Sequence, residues 1–152
     1  NDVNKYLESI QGESIQQFPP YSSIKVNGKP LWQWSKEGNI SSIDIPKKKI
    51  NIYSAKLLDF QVMDSHEILQ IVNKNISWLD SKLNFRQQDI LNKWTKLQKG
   101  SYYVATCETK VSTGTYIRDI CHTMGKYFKS GAIAFDILRT QVGDFDLEFL
   151  TR

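Results

Sequence analysis

Apolar positions along the chain recur at two spacings, every three to four residues in some stretches and every two in others. Val3, Tyr6, Leu7 and Ile10 fall at i, i+3, i+4 and i+7, which predicts a short helix over 3–11 that Gly12 can close. Pro19-Pro20 forces an extended segment into Tyr21–Val26, a predicted strand, and Asn27-Gly28 marks a turn. Pro30 suits a first helical residue, so Leu31–Lys36 reads as a short helix stopped by Gly38. Trp32 and Trp34 cannot both face the core from one regular helix, so one is expected at the surface or in contact with a ligand. After Pro46 and the Lys47-Lys48-Lys49 triplet, the run Ile50–Val62 is strand-like.

Residues 65–99 change character. Ile68, Leu69, Ile71 and Val72 predict one helix; Ile90, Leu91, Trp94 and Leu97 predict another, ended by Gly100. This is a helical excursion between two strands that would otherwise pair, either a partner surface or an insertion packed on the sheet. Tyr102–Thr113 then alternates, with Tyr103, Ala105, Cys107, Thr109 and Val111 on one face. Ile117, Ile120, Cys121, Met124 and Phe128 form the stripe of the clearest amphipathic helix, with Gly131 as its cap. Ala132–Phe149 is strand-like again, with Gly143 as a bulge or bend. The expected class is α+β, a mixed and mostly antiparallel sheet with flanking helices.

The junction Gly114-Thr115-Tyr116-Ile117-Arg118 joins that alternating strand to that helix. Gly114 permits a tight turn there. If the chain stays extended, a period of two puts Tyr116 and Arg118 on one face; in a helix they point about 200° apart. A phenol and a guanidinium side by side would anchor a planar ring and a nearby anion. The plainer alternative is a strand-to-helix corner with a surface Arg and a half-buried Tyr.

At 152 residues the chain is one domain or one large piece of a domain. Its formal charge of +4 is unevenly spread. Between Ser22 and Lys56 stand seven lysines (Lys25, Lys29, Lys36, Lys47, Lys48, Lys49 and Lys56) against Glu37 and Asp44, a local net of +5. Such a block suits a phosphate-bearing partner, or is simply a solvated surface. Asp144, Asp146 and Glu148 reverse the sign at the end. Cys107 and Cys121 make no CxxC pair, which favours a reducing, intracellular setting. Cys121-His122 resembles a ligand pair, but His66, the other histidine, lies in a different segment, and a zinc site needs about four ligands; no metal is expected. No apolar run has membrane-spanning length. The start at Asn1, without an apolar signal segment, suggests a cut domain or a processed fragment.

Pro19-Pro20-Tyr21-Ser22-Ser23-Ile24-Lys25-Val26-Asn27-Gly28-Lys29, followed by the aromatic helix, resembles the PPxYSAxKxxGxR segment of the TruB-type pseudouridine synthases, a group that includes eukaryotic tRNA enzymes and dyskerin relatives. Gly114–Arg118 is similar to that family's GTYIR motif, and Ile137-Leu138-Arg139 to its later LRR segment. The order agrees, and the likeness covers most of the chain apart from 65–99. The resemblance implies isomerisation of a uridine in RNA, usually in the tRNA T-loop, with no cofactor. It implies that Tyr116 contacts the flipped base and that Arg118 pairs with a nucleophilic Asp. Lys25 would help hold the motif around the site and Leu138 would line the base pocket, with Tyr21, Lys29 and Arg139 also facing RNA. Stacking on an aromatic ring, at about 1–3 kcal/mol per base, would offset part of the cost of extruding the base.

The departures matter. The family's GxLDxxAxG segment, which carries its nucleophile, has no counterpart: Leu58-Asp59 and Leu79-Asp80 keep the Leu-Asp pair without the flanking glycines. The family's second, N-terminal Tyr is also missing. Ser23 stands where Ala is usual and Thr140 where a second Arg is usual. The resemblance therefore implies the C-terminal part of a catalytic domain, not expected to catalyse alone, with the missing half as a possible partner. The excursion at 65–99 points to a eukaryotic member. The setting would be nucleus or mitochondrion in a eukaryote and cytoplasm in a bacterium. Two other readings stand beside it. The lysine block with Tyr21, Trp32 and Trp34 suits a non-catalytic RNA-binding module. Ser22-Ser23-Ile24-Lys25 satisfies SxxK, but the SDN and KTG companions of a serine acyl-enzyme are absent.

Overall fold

The computed structural model describes residues 2–80, 82–83 and 85–147. The chain forms two compact units, one from 1–7 with 55–109, the other from 8–54 with 110–152. In chain order the elements are helix α1 (Asp2–Ser9), strands β1 (Gly12–Gln17), β2 (Lys25–Val26) and β3 (Lys29–Pro30), helix α2 (Leu31–Lys36), a 3₁₀ turn at Ile40–Ser42 and strand β4 (Lys47–Asp64). Helices α3 (Ser65–Ser77) and α4 (Gln87–Trp94), strand β5 (Ser101–Val111), helix α5 (Ile117–Tyr127), and strands β6 (Gln141–Val142) and β7 (Phe145–Asp146) follow. The class is α+β, with a three-stranded sheet in the order β1-β4-β5 and two small hairpins, β2-β3 and β6-β7.

β1 lies antiparallel to β4, from Gly12 opposite Ile52 to Gln17 opposite Lys47. The Phe18 N–H donates to the Pro46 carbonyl and extends that ladder by one bond. The Ser65 N–H donates to the Gly100 carbonyl and the Ser112 N–H to the Asn51 carbonyl, so β5 runs antiparallel to β4.

In the first unit Tyr6, Leu7, Ala55, Ile68 and Val72 are buried, and α3 packs with α4 as the predicted two-helix excursion. α3 starts on a capping box: the Asp64 carboxylate accepts from the His66 and Glu67 N–H groups, and the Glu67 carboxylate accepts from the Asp64 N–H. The sequence placed the end of α4 at Gly100, but α4 stops at Trp94 and Gly100 leads into β5. On β5 the expected face is half-buried at Ala105, Cys107, Thr109 and Val111. Tyr103 departs from it: the residue is 76% exposed, stacked on the Phe60 ring at a centroid distance of 5.4 Å.

In the second unit Leu31, Ile50, Ile52 and Ile120 form the buried apolar set, with Ile50 and Ile52 on one face of β4. Burying one such side chain is worth about 1.5–3 kcal/mol. Asn27 and Gly28 both have positive φ, 51° and 77°, as a two-residue type I′ hairpin turn requires. The predicted strand Tyr21–Val26 shrinks to Lys25–Val26, because Tyr21–Ile24 serves α2 instead. The Leu31 and Trp32 N–H groups donate to the carbonyls of Ile24 and Ser22, satisfying donors that a helix start leaves open. Pro30 is the N-cap of α2 rather than its first helical residue.

α5 buries Ile120 and half-buries Ile117, Cys121, Met124 and Phe128, the expected stripe. Its end differs slightly from expectation. Lys129 already adopts positive φ, and the N–H groups of Ser130 and Gly131 both donate to the Gly125 carbonyl. Residues 132–149 are the largest departure. The segment 131–140 is irregular, and only β6 and β7 are extended, with Gly143 in the turn between them. The alternation at Ile133, Phe135 and Ile137 finds no paired strand among the described residues, and a strand needs one. Residues 148–149 of that prediction lie outside the described residues.

Candidate active site

The site is built on the corner between β5 and α5, held from three sides within the second unit. Ser112 fixes the end of β5: its hydroxyl accepts from the Asn51 N–H at 2.9 Å, and its carbonyl accepts from the Thr115 hydroxyl at 2.8 Å and the Thr115 N–H at 3.2 Å. Gly114 takes φ +77°, the left-handed conformation that closes the turn. From β4, the Lys48 ammonium donates to the Thr113 carbonyl at 2.6 Å and occupies the place a Cβ on Gly114 would take.

The chain then becomes helical at Ile117, with Tyr116 as an extended N-cap. The period of two therefore does not run through Arg118, and of the two conditional placements the extended one does not apply here. The cause is visible in the backbone: the Asp119 and Ile120 N–H groups both donate to the Tyr116 carbonyl and start the helix there. Tyr116 is half-buried and Arg118 is exposed in the first turn of α5. Asp119, in the same turn, carries the sign a helix N-terminus favours.

Gln16 of β1 and Phe18, just after that strand, meet Tyr116, and neither stood out in the sequence. Gln16, 6% exposed, donates from Nε2 to the Tyr116 carbonyl at 3.1 Å and accepts at Oε1 from the Tyr116 N–H at 2.8 Å. The Phe18 ring meets the Tyr116 ring edge-on, with centroids 5.8 Å apart and planes at 78°. No local pattern points to Gln16, because its partner lies 100 residues away.

The remaining predicted residues are dispersed. Lys25 is exposed on the β2-β3 hairpin and Tyr21 is 54% exposed just before it. Lys29 is engaged internally: its ammonium pairs with Glu37 and lies 3.7 Å from the centroid of the Trp34 ring. Trp34 is the inward tryptophan, its Nε1–H donating to the carbonyls of Val26 and Lys29, while Trp32 is the exposed one. The Lys29 hydrogen bond, with a second from Gln33, holds the Glu37 carboxyl below the usual glutamate range. Leu138, 73% exposed, and Arg139 lie on the irregular segment after α5. No hydrogen bond, ion pair or ring contact among the described residues ties Tyr21, Lys25, Leu138 or Arg139 to the Tyr116 corner. Burial pushes the Cys121 thiol up, away from the thiolate a nucleophile or metal ligand needs. No group of three metal-ligating side chains gathers among the described residues.

The family model described as TruB family pseudouridylate synthase (N terminal domain) matches residues 1–76, half of the chain. The chain belongs to the TruB family. Among similar TruB proteins, the tRNA pseudouridine synthase B of Clostridioides difficile is 29% identical over 148 residues, 97% of this chain and 36% of the relative. That of Carboxydothermus hydrogenoformans is also 29% identical, over 97% of this chain and 38% of its own length. That of Francisella philomiragia is 28% identical, over 95% and 35%. The chain thus spans little more than a third of the length of these curated relatives. No helix among the described residues is long and apolar enough to cross a membrane.

Proposed function

We propose that this chain is part of an RNA pseudouridine synthase that isomerises a uridine in tRNA, in the T-loop, and that it supplies Tyr116 and Arg118 to the active site. The observation that carries the reading is the Tyr116 corner itself: a Gly-Thr-Tyr-Ile-Arg motif at a strand-to-helix turn, tied down by Gln16, Phe18, Lys48 and Ser112. Matched relatives named tRNA pseudouridine synthase B support the substrate class.

In this reading the uridine leaves its stack and lies against the Tyr116 ring, whose edge-on contact with Phe18 holds the ring plane. Arg118, exposed at the first turn of α5, pairs with the attacking carboxylate and keeps it ionised. That carboxylate comes from a GxLD-type segment outside these 152 residues, which form the C-terminal part of the catalytic domain with the excursion at 65–99 as an insertion. These residues alone are then inactive. Lys25, exposed on the β2-β3 hairpin, and Tyr21, exposed just before it, contact RNA, as does Arg139, and Leu138 lines the base pocket.

The test is Arg118→Ala in the full-length protein. Pseudouridine formation in a tRNA transcript should fall by about 10²–10³, as when an active-site electrostatic group is removed, with tRNA affinity changed far less. Wild-type turnover in that variant would remove Arg118 from the site.

A further inference from the structure

We propose that Gln16 is a positioning residue for the reaction, setting the backbone of Tyr116 and with it the start of α5. The proposal rests on the assignment of Tyr116 and Arg118 made above. β1 is inverted for a strand built only for stability: it buries the Gln16 amide and leaves its neighbour Ile15 69% exposed. Burying a primary amide costs free energy unless both its ends are bonded. Here both ends are bonded, and to the same residue. The Nε2–H reaches the Tyr116 carbonyl and Oε1 takes the Tyr116 N–H. Two contacts from one planar group fix the orientation of the Tyr116 peptide units as well as their distance, which a single bond does not.

Two residues further along the chain, Phe18 fixes the ring. β1 and the residue just after it, Phe18, thus hold Tyr116 by its backbone and by its side chain. The helix that carries Arg118 begins from the same carbonyl, which also accepts from Asp119 and Ile120. A small displacement of Tyr116 therefore moves both proposed groups together. A displacement of about 1 Å can cost about 10²-fold in rate.

The experiment measures kcat and KM for tRNA in the full-length protein carrying Gln16→Leu or Gln16→Glu, normalised to the folded fraction. Gln16→Leu keeps approximate size and loses both bonds; its kcat should fall about 10- to 100-fold with KM within about twofold. A protonated Glu at this position presents the same donor and acceptor as the amide, and an ionised Glu does not. The turnover of Gln16→Glu relative to wild type should therefore rise as pH is lowered. A kcat of Gln16→Leu within about twofold of wild type would reduce Gln16 to a packing role. Where Gln16→Leu fails to fold, a pH-independent ratio for Gln16→Glu overturns the proposal. Arg118→Ala, run in parallel, separates two failures. If it is inactive while the Gln16 variants turn over normally, only the positioning role is lost. If it turns over normally, the assignment beneath that role falls, and the role with it.

Discussion

Gly114 shows how one residue type serves a corner twice. Its φ of +77° is one an L side chain adopts only at a cost of about 1–2 kcal/mol, and a methyl there meets the Lys48 ammonium. The lysine is flexible and can withdraw, but then its bond to the Thr113 carbonyl goes. Gly114→Ala should therefore lower the unfolding free energy by about 1–2 kcal/mol in urea titration, the strain dominating. An unchanged midpoint and slope would mean that the turn relaxes without cost. Lys29 illustrates a different residue-scale point. Its pairing with Glu37 depresses that carboxyl, so the stabilisation is present above the ordinary glutamate pKa and fades as pH falls through the depressed value. A carboxyl-carbon NMR titration should place Glu37 below an ordinary glutamate, and Lys29→Met should raise it. An ordinary value in the wild type would show the pair unformed in solution. The sequence made Tyr116, Arg118 and Gly114 legible because they are contiguous. Gln16 was not legible, since its burial depends on a partner 100 residues away and breaks the apolar-inward rule in β1.

Among the elements, those whose signals are local came out close to expectation. α5 follows its stripe, the β2-β3 turn follows Asn27-Gly28, and the excursion is two helices as its spacing predicted. α3 adds a start signal that its apolar spacing did not carry, since Asp64 and Glu67 form the box that fixes its first turn. Asp64→Ala should cost about 1 kcal/mol and abolish hydrogen-exchange protection of the His66 and Glu67 amides, leaving α5 amides protected. Retained protection at those two amides would show that the cap contributes nothing. Elements whose existence depends on a distant partner came out differently. β1 was hidden, because GESIQQ has no apolar alternation and gains its strand from pairing with β4. Residues 131–140 erred the other way, with an alternating pattern but no paired strand among the described residues.

For the molecule as a whole, the lysine block is less uniform than its count. Lys48 is bound to a carbonyl, Lys29 to Glu37 and a ring, and Lys49 to Glu13, while Lys25 stands exposed on its hairpin. If the full-length protein neutralises tRNA phosphates, log affinity falls linearly with log salt, and each phosphate contact adds about 0.7–0.9 to the slope. Lys25→Ala should reduce that slope by about one unit, and Lys29→Ala by much less, because Glu37 already balances its charge. Equal effects of the two substitutions in filter binding would show that Glu37 releases Lys29 to the RNA.

The tie between Gln16 and Tyr116 also carries a consequence for the order in which the polypeptide matures. During synthesis β1 can pair with β4 early, but the amide of Gln16 emerges long before the peptide group it will grip and lacks that partner while the intervening 99 residues are made. Closing so long a loop is entropically costly and is repaid only once the last contacts close. The corner that carries Tyr116 can therefore take its final form only after most of this stretch has been translated.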